Sequence, residues 1–245
     1  MSRKIEVDIF IPCFIDQVYP ETGFNMVKVL EALGCKVHYN PAQTCCGQPA
    51  FNAGFFEEAR EVATKLTDEL SLNKRYIVTP SASCAGMIRN NYEKLLEETS
   101  SLYHYRKLQK NIYEFSDFLV NILKVHKVPG AKLDAKVTYH DACSALREYG
   151  IKEAPRLLLR NVEGLQLKEM EDAETCCGFG GTFAVKYEAI SSGMAEQKVE
   201  NAVATGAEVI VSTDASCLMH ISGFSTKKGE SIKVMHLADV LASGW

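Results

Sequence analysis

The chain has 245 residues, and its composition is that of an ordinary folded protein, with 47% hydrophobic and 24% charged residues. Because 31 acidic residues outnumber 27 lysines and arginines, it lacks the basic surplus typical of proteins that bind nucleic acid or anionic membranes. No uninterrupted apolar run reaches the ~18 residues of a membrane-spanning helix. Glu6 and Asp8 interrupt the N-terminal segment MSRKIEVDIFIPC, which therefore predicts a strand instead of an export signal, and we expect a cytoplasmic protein.

The first half of the chain alternates predicted strands and helices. Residues 5–11 (IEVDIFI) form a β-branched, apolar run that is typical of a strand, and residues 22–33 carry apolar side chains at helical spacing up to Gly34. Next come a strand at CKVHYN, a helix at FFEEAREVATKLTDEL, a strand at RYIVTP and a helix from about Ser81. A long helical stretch over 86–124 is predicted to precede a linker at 126–135.

The second half repeats this order. Its predicted strands are AKVTYH, LQLKEM and EVIVST, and its predicted helices are KEAPRLLLRN and KYEAISSGMAEQKVENAVATG. Strands that alternate with helices of this length imply βαβ units with parallel sheets. The predicted fold is therefore α/β, with two tandem pseudo-symmetric units at 1–128 and 129–245 that carry cysteines at the carboxyl ends of their strands.

Nine cysteines are present, and eight of them form a duplicated pattern of one cysteine, then TCCG, then ASC. Each position recurs 130 to 133 residues later, and the eight are Cys13, Cys45, Cys46, Cys84, Cys143, Cys176, Cys177 and Cys217. The ninth, Cys35, has no counterpart and is predicted to be a small buried hydrophobic residue.

Each set of four cysteines is expected to form a site. The cysteines follow the predicted strands, and the carboxyl ends of parallel strands meet at one edge of a sheet. Four thiolates suit a zinc ion as well as an iron–sulfur cluster. No C-x₂₋₄-C zinc knuckle is present, and adjacent cysteines reach two irons of a cluster more easily than they clamp one ion. The pattern favours iron over zinc, and both over purely structural cysteines.

At these residues the chain resembles the CCG-domain family, whose pattern is one cysteine, then CCG, then CxxC. That family includes the cysteine-rich component of heterodisulfide reductase, the iron–sulfur component of glycolate oxidase and proteins of lactate utilisation. The length, the two-repeat layout and the openings PCFIDQVYPETG and YHDACSALREYG are most similar to the lactate-utilisation group. One departure is that Ser81 and Asp214 replace the first cysteine of CxxC, which puts five-cysteine clusters in doubt and makes both residues candidate oxygen ligands.

The resemblance implies one or two iron–sulfur clusters per chain, of the [4Fe–4S] type, held by the eight cysteines. It implies electron transfer within a multisubunit oxidoreductase that converts lactate, a small 2-hydroxy acid, to pyruvate. The implied partners are a ferredoxin-like iron–sulfur subunit and a third lactate-utilisation subunit. Two alternatives stay open: a thiol/disulfide redox subunit like that of heterodisulfide reductase, and a non-enzymatic module stabilised by zinc.

The run Gly178–Gly181 lacks the G-x-G-x-x-G spacing of a dinucleotide site, so an NAD-dependent enzyme is not predicted. A ferredoxin-type cysteine run is also missing from the sequence. Electrons are therefore expected to leave through a partner that carries its own clusters.

Candidate catalytic residues lie beside one cysteine. His140 is three residues before Cys143 and is a candidate base, with Asp141 as the residue that orients it. The alternative is that His140 packs in the core or hydrogen-bonds cluster sulfur. Arg147 and Arg156 are candidates to hold a carboxylate, although a solvated helix surface is the expected setting for both.

Overall fold

A computed structural model describes residues 4–245. The first half comprises β1 (Glu6–Ile9), α1 (Cys13–Val18), α2 (Pro20–Ala32), β2 (Lys36–Tyr39), α3 (Gln48–Ala53), α4 (Phe56–Leu70), β3 (Tyr76–Thr79), α5 (Ala82–Leu96), α6 (Leu102–Asn111), β4 (Ile112–Glu114), α7 (Phe115–Asp117) and a π-helical turn (Phe118–Ile122). The helix predicted over 22–33 begins earlier, at Pro20, because the fixed φ of proline suits the first helical turn.

The second half repeats the order of strands. It comprises β5 (Lys136–Tyr139), a π-helical segment (Ser144–Tyr149), α8 (Glu153–Leu159), β6 (Gln166–Leu167), α9 (Phe183–Lys186), α10 (Glu188–Ala204), β7 (Val209–Ser212), α11 (Ala215–Lys228), β8 (Lys233–His236) and α12 (Leu237–Leu241). Among the described residues, no helix combines the length and the apolarity needed to cross a membrane.

Each half folds around its own four-stranded parallel sheet. The strand orders are β2-β1-β3-β4 and β6-β5-β7-β8, so the two sheets have the same topology. Val7 of β1 pairs with Val37 of β2, and Val137 of β5 pairs with Leu167 of β6 in the equivalent position. The predicted α/β fold with two similar units is confirmed.

The prediction of one helical stretch over 86–124 is wrong. The helix α5 ends at Leu96, α6 follows, and the chain then forms β4 as the fourth strand of the first sheet. This strand pairs in parallel with β3, so that Ile112 lies opposite Ile77 and Glu114 lies opposite Thr79. With only three residues it shows too little alternation to be distinguished from the helices on either side.

The two halves share one hydrophobic core. A single cluster of buried side chains contains Val7 of the first sheet and Val137 of the second. The last helix of the second half, α12, packs against α2, and α7 of the first half packs against α8. Asp239 of α12 accepts hydrogen bonds from Thr22 Oγ1 and Asn25 Nδ2 of α2, each at 2.9 Å. The hydrophobic core beside each sheet therefore includes side chains from the other half.

Two further contacts between the halves lie close to the cysteines. The helix α5 packs against the segment Ser144–Tyr149, and α1 packs against α11. All four elements begin at a cysteine of the repeat or within two residues of one. As a result, the cysteine-bearing edges of the two sheets meet.

Candidate metal centre

The first-half cysteines follow the ends of three strands. Cys13 opens α1, and Cys84 lies in the first turn of α5. Cys45 and Cys46 lie in the loop after β2. Cys45 Sγ is 3.7 Å from Cys13 Sγ, whereas Cys46 Sγ is 3.3 Å from Cys84 Sγ. Cys45 also contacts Cys46, so the four sulfurs form one row in the order Cys13, Cys45, Cys46, Cys84.

The second-half cysteines form the same row. Cys176 contacts Cys143 and Cys177, and Cys177 in turn contacts Cys217. This order matches that of the first half position for position, so the repeat in the sequence is also a repeat in three dimensions.

A glycine holds each paired-cysteine loop in place. Gly47 has φ +78° and Gly178 has φ +92°, in the left-handed region that favours glycine. The backbone N–H of Gly47 donates to Cys45 Sγ, and that of Gly178 to Cys176 Sγ, both at 3.4 Å. These bonds supply a donor to the sulfur of the first cysteine in each pair.

All eight cysteines of the repeat line one cavity of about 130 Å³ between the halves. Sequence reasoning grouped them by half and did not predict that both groups open into one space. Phe14 and Phe179, one from each half, also line this cavity, and their rings meet edge-on with centroids 5.5 Å apart. Cys35 is instead buried in the shared core, as predicted.

One cysteine of each half ionises most readily. Hydrogen bonds from Cys13, from the neighbouring cysteine and from the glycine N–H lower the pKa of Cys45 to about 3. The equivalent bonds, led by that from Cys143, lower the pKa of Cys176 to about 2. The same bonds, together with burial, raise the pKa of Cys13 and of Cys143. Each half therefore presents a thiolate beside neutral thiols, and the thiolate is the form that binds metal.

Ser81 and Asp214, at the positions that the resemblance assigns to fifth cysteines, both bond the start of α5, whereas Asp214 makes no side-chain cap bond to its own helix α11. Ser81 Oγ accepts a hydrogen bond from Cys84 N at 3.4 Å, within its own half. Asp214 Oδ2 accepts from Ser83 N of the opposite half at 2.9 Å, and Oδ1 accepts from Ser216 Oγ at 3.0 Å. Both Ser81 and Asp214 line the cavity, and their bonds to Cys84 N and Ser83 N hold the start of α5, the helix that carries Cys84.

His140 is completely buried and lies behind the second-half cysteines. One of its ring nitrogens and the sulfurs of Cys177 and Cys217 all lie within 4.8 Å of one another. Burial lowers the pKa of His140 to about 3, so its imidazole is neutral. The side chain of Asp141 contacts Arg156 on both carboxylate oxygens instead of orienting His140. A catalytic role for His140 and Asp141 stays a prediction.

The expectation of a solvated helix surface is wrong for Arg156 and correct for Arg147, which is exposed. Arg156 is buried and donates to Asp141 at 2.8 and 2.6 Å and to Glu169 at 2.9 and 3.0 Å. Two carboxylates of its own chain occupy the guanidinium, so Arg156 holds the second half together.

A buried lysine was missed by the sequence reasoning. Lys198 lies under the second-half cysteines, where its Nζ donates to the carbonyl oxygens of Asp172 and Ala173. The residue 131 positions earlier, at the spacing of the repeat, is the uncharged Thr67. This difference between the two halves, a lysine in one and an uncharged residue in the other, is the sequence signal for Lys198.

Two sheets whose duplicated cysteines converge on one cavity define a thiol-rich α/β protein with a metal or iron–sulfur site. The chain belongs to the CCG cysteine-rich domain family, whose model matches residues 7–89 and 137–222.

Two relatives of known name match the chain over nearly its full length. It is 44% identical over 237 residues to Lactate utilization protein A of Halalkalibacterium halodurans, covering 97% of this chain and 96% of that protein. It is 42% identical over 239 residues to Lactate utilization protein A of Bacillus thuringiensis, covering 98% and 99%. A hypothetical protein from Helicobacter pylori has a similar fold, with a TM-score of 0.69 at 9% identity, over 99% of this chain and 49% of that one.

Proposed function

We propose that the chain is the iron–sulfur electron-transfer subunit of a complex that oxidises lactate to pyruvate. The observation that carries this proposal is the convergence of eight cysteines, in two matching rows, on one cavity. Soft thiolate ligands select iron–sulfur clusters and zinc among biological metal centres. We assign one or two [4Fe–4S] clusters to these cysteines, and such clusters supply a site that takes up and releases electrons singly.

The substrate follows from the relatives, whose printed names refer to lactate utilisation. Oxidation of lactate to pyruvate releases two electrons and two protons. We assign acceptance of these electrons to the cavity and their onward passage to a ferredoxin-like iron–sulfur subunit, with a third lactate-utilisation subunit in the complex. The residues of this chain bind the sulfur-rich centre and limit its contact with water through Phe14 and Phe179. Ser81 and Asp214 fix the start of α5, which carries Cys84.

A structural zinc site is the second candidate, because each half offers the four thiolates of a tetrahedral zinc ion. Against it, no three first-half sulfurs within residues 4–245 lie within 4.8 Å of one another, as the ligands of a single ion would. A heterodisulfide-type role has less support, since Ser81 and Asp214 stand at the positions of the fifth cysteines and bond the start of α5.

The test is lactate-dependent reduction of the chain within its assembled complex. Under anaerobic conditions, lactate should bleach the visible absorbance of this subunit, and an added electron acceptor should restore it. Cys45→Ser and Cys176→Ser should each diminish the bleaching, whereas Cys35→Ala, which changes a cysteine in the core, should leave it intact. A subunit with intact clusters that lactate never reduces in the complex would overturn the proposal.

A further inference from the structure

His140 has unsatisfied bonding capacity in the interior of the second half. The residue is fully buried, and neither Nδ1 nor Nε2 makes a hydrogen bond of good geometry within residues 4–245, where the Ala173 backbone is a weak partner of the ring. Buried polar side-chain atoms are nearly always bonded, because leaving them unpaired costs free energy. At least one nitrogen of this imidazole is therefore left for a partner that is not a side chain or backbone group of this chain.

The backbone holds His140 firmly in that position. Its N–H donates to Val211 O of the neighbouring strand β7 at 2.8 Å, and its carbonyl oxygen accepts from Ser212 Oγ at 3.0 Å. The ring is thereby kept beside the sulfurs of Cys177 and Cys217, with the three ligand atoms within 4.8 Å of one another. His140 does not line the cavity, so it reaches the cysteine row from the protein side.

The first half has no equivalent of this nitrogen. At the spacing of the repeat, 130 residues earlier, the counterpart of His140 is Phe10, which is also fully buried. Because an apolar ring fills this position in one half, packing alone does not require a histidine in the other. Imidazole is a good ligand for iron and zinc, and it joins thiolates in mixed nitrogen–sulfur sites.

We propose that His140 is a nitrogen ligand of the metal centre held by the second-half cysteines, and that the first-half set binds through thiolates alone. The inference rests on the proposed function for the identity of the centre as an iron–sulfur cluster. With His140 in the ligand set of a four-ligand cluster, one of the four second-half cysteines is left off the cluster. A neutral imidazole in place of that anionic thiolate makes the cluster less negative, and histidine ligation raises the reduction potential of such centres. The two halves then differ in potential, and the second half is the easier one to reduce.

The test labels the ligand instead of assaying activity. The whole chain, prepared anaerobically with ¹⁵N-histidine and then reduced, is measured by pulsed electron paramagnetic resonance. The expected result is the strong coupling of a directly bonded histidine nitrogen. His140→Phe, which copies the first half, should abolish the coupling and lower the potential of one centre. The matched control His220→Phe, which removes an imidazole nitrogen that contacts Ser191 Oγ, should preserve the coupling.

The outcomes separate this inference from the proposed function. An iron–sulfur protein with no histidine coupling, or with only the weak coupling of a hydrogen-bonded ring, overturns the ligand role of His140 and leaves the electron-transfer role standing. A protein that binds zinc and no iron overturns the electron-transfer role. The ligand role of His140 is then tested on cobalt(II)-substituted protein. Histidine coupling that is present in the unmutated protein and lost in His140→Phe supports the role. An unmutated protein without histidine coupling rejects the role. The labelled, unmutated chain gives an answer even if His140→Phe fails to fold.

Discussion

Asp214 of the second half accepts a hydrogen bond from the backbone N–H of Ser83 in the first half, with 2.9 Å between Oδ2 and N. The bond joins the start of α5, where Cys84 lies, to the residue before α11, where Cys217 lies. One carboxylate therefore links the two cysteine rows at the edge of their shared cavity.

Loss of this link should destabilise the protein. Asp214→Ala leaves the Ser83 N–H without its acceptor and is expected to lower the free energy of unfolding by about 1–2 kcal/mol. Asp214→Asn keeps an acceptor oxygen and should lose less. Ser81→Ala, at the matching position, removes a long 3.4 Å bond from Cys84 N and a 3.2 Å bond with Ser83 Oγ, both within one half, and should be the mildest of the three. Urea unfolding under anaerobic conditions measures the order, and equal effects of Asp214→Ala and Ser81→Ala would contradict the link.

The glycines of the two paired-cysteine loops should differ in their tolerance of a side chain. A Cβ at Gly178 would lie 2.5 Å from Ser191 O, whereas the nearest atom to a Cβ at Gly47 is Ala59 O at 3.4 Å. Gly47→Ala should lower the free energy of unfolding by ~1–2 kcal/mol, which is the cost of placing a residue with a Cβ in the left-handed backbone conformation. Gly178→Ala adds a clash with backbone and should cost more. Thermal unfolding of the two variants side by side makes the comparison, and a milder effect at Gly178 would show that its loop has room to move.

Arg156 and Asp141 should behave as a buried ion pair. Arg156→Met leaves the Asp141 carboxylate buried without its partner and is expected to cost about 3–5 kcal/mol. The double variant Asp141→Asn/Arg156→Met should recover part of that loss. Glu169→Gln, which changes a half-exposed partner, should cost under about 1 kcal/mol. Denaturant unfolding decides, and a double variant no more stable than Arg156→Met would rule out the unpaired charge as the cause.

Glu114 should make the stability of the protein depend on pH. Burial raises the pKa of this carboxyl from 4.5 to about 8, although Ser116 and Asp117 donate hydrogen bonds to it. The folded state therefore holds a proton that the unfolded state loses above pH 4.5. The protonated Glu114 therefore contributes its full stability below pH 4.5, and this contribution is lost as the pH rises through 8. Between these two pH values the free energy of unfolding falls by up to about 1.4 kcal/mol per pH unit.

The matched variant for this effect is Glu114→Gln, which keeps an oxygen to accept the N–H groups of Ser116 and Asp117. The stability of Glu114→Gln relative to the unmutated chain should grow steadily between pH 4.5 and 8 and should level off above pH 8. Unfolding free energies of both proteins, measured in parallel buffers, give the difference. A difference that does not change with pH would show that Glu114 is ionised throughout.

The repeat made much of the fold and the site predictable. Because Cys13, Cys45 and Cys84 recur at a nearly constant spacing, the parallel strands and the cysteine-bearing edge of each half follow from local pattern and sheet geometry. The meeting of both edges at one cavity was not predictable in this way. It depends on contacts between distant segments, such as the packing of α12 against α2.

The polar residues around the second-half cysteines could not be predicted from the local sequence pattern either. Arg156 has the sequence context of an exposed helix residue, and its burial depends on carboxylates that lie on other elements, Asp141 and Glu169. The same holds for Lys198, which is buried because the carbonyl groups of Asp172 and Ala173 face it. Such pairs are determined by tertiary packing, which a single sequence does not display.

The most direct measurement of the central claim is the content of iron, acid-labile sulfide and zinc in anaerobically purified chain, before and after cluster reconstitution. The proposed function predicts a brown protein that holds iron and sulfide in equal amounts and bleaches on reduction with dithionite. Colourless protein that holds stoichiometric zinc, with neither iron nor sulfide even after reconstitution, would contradict it.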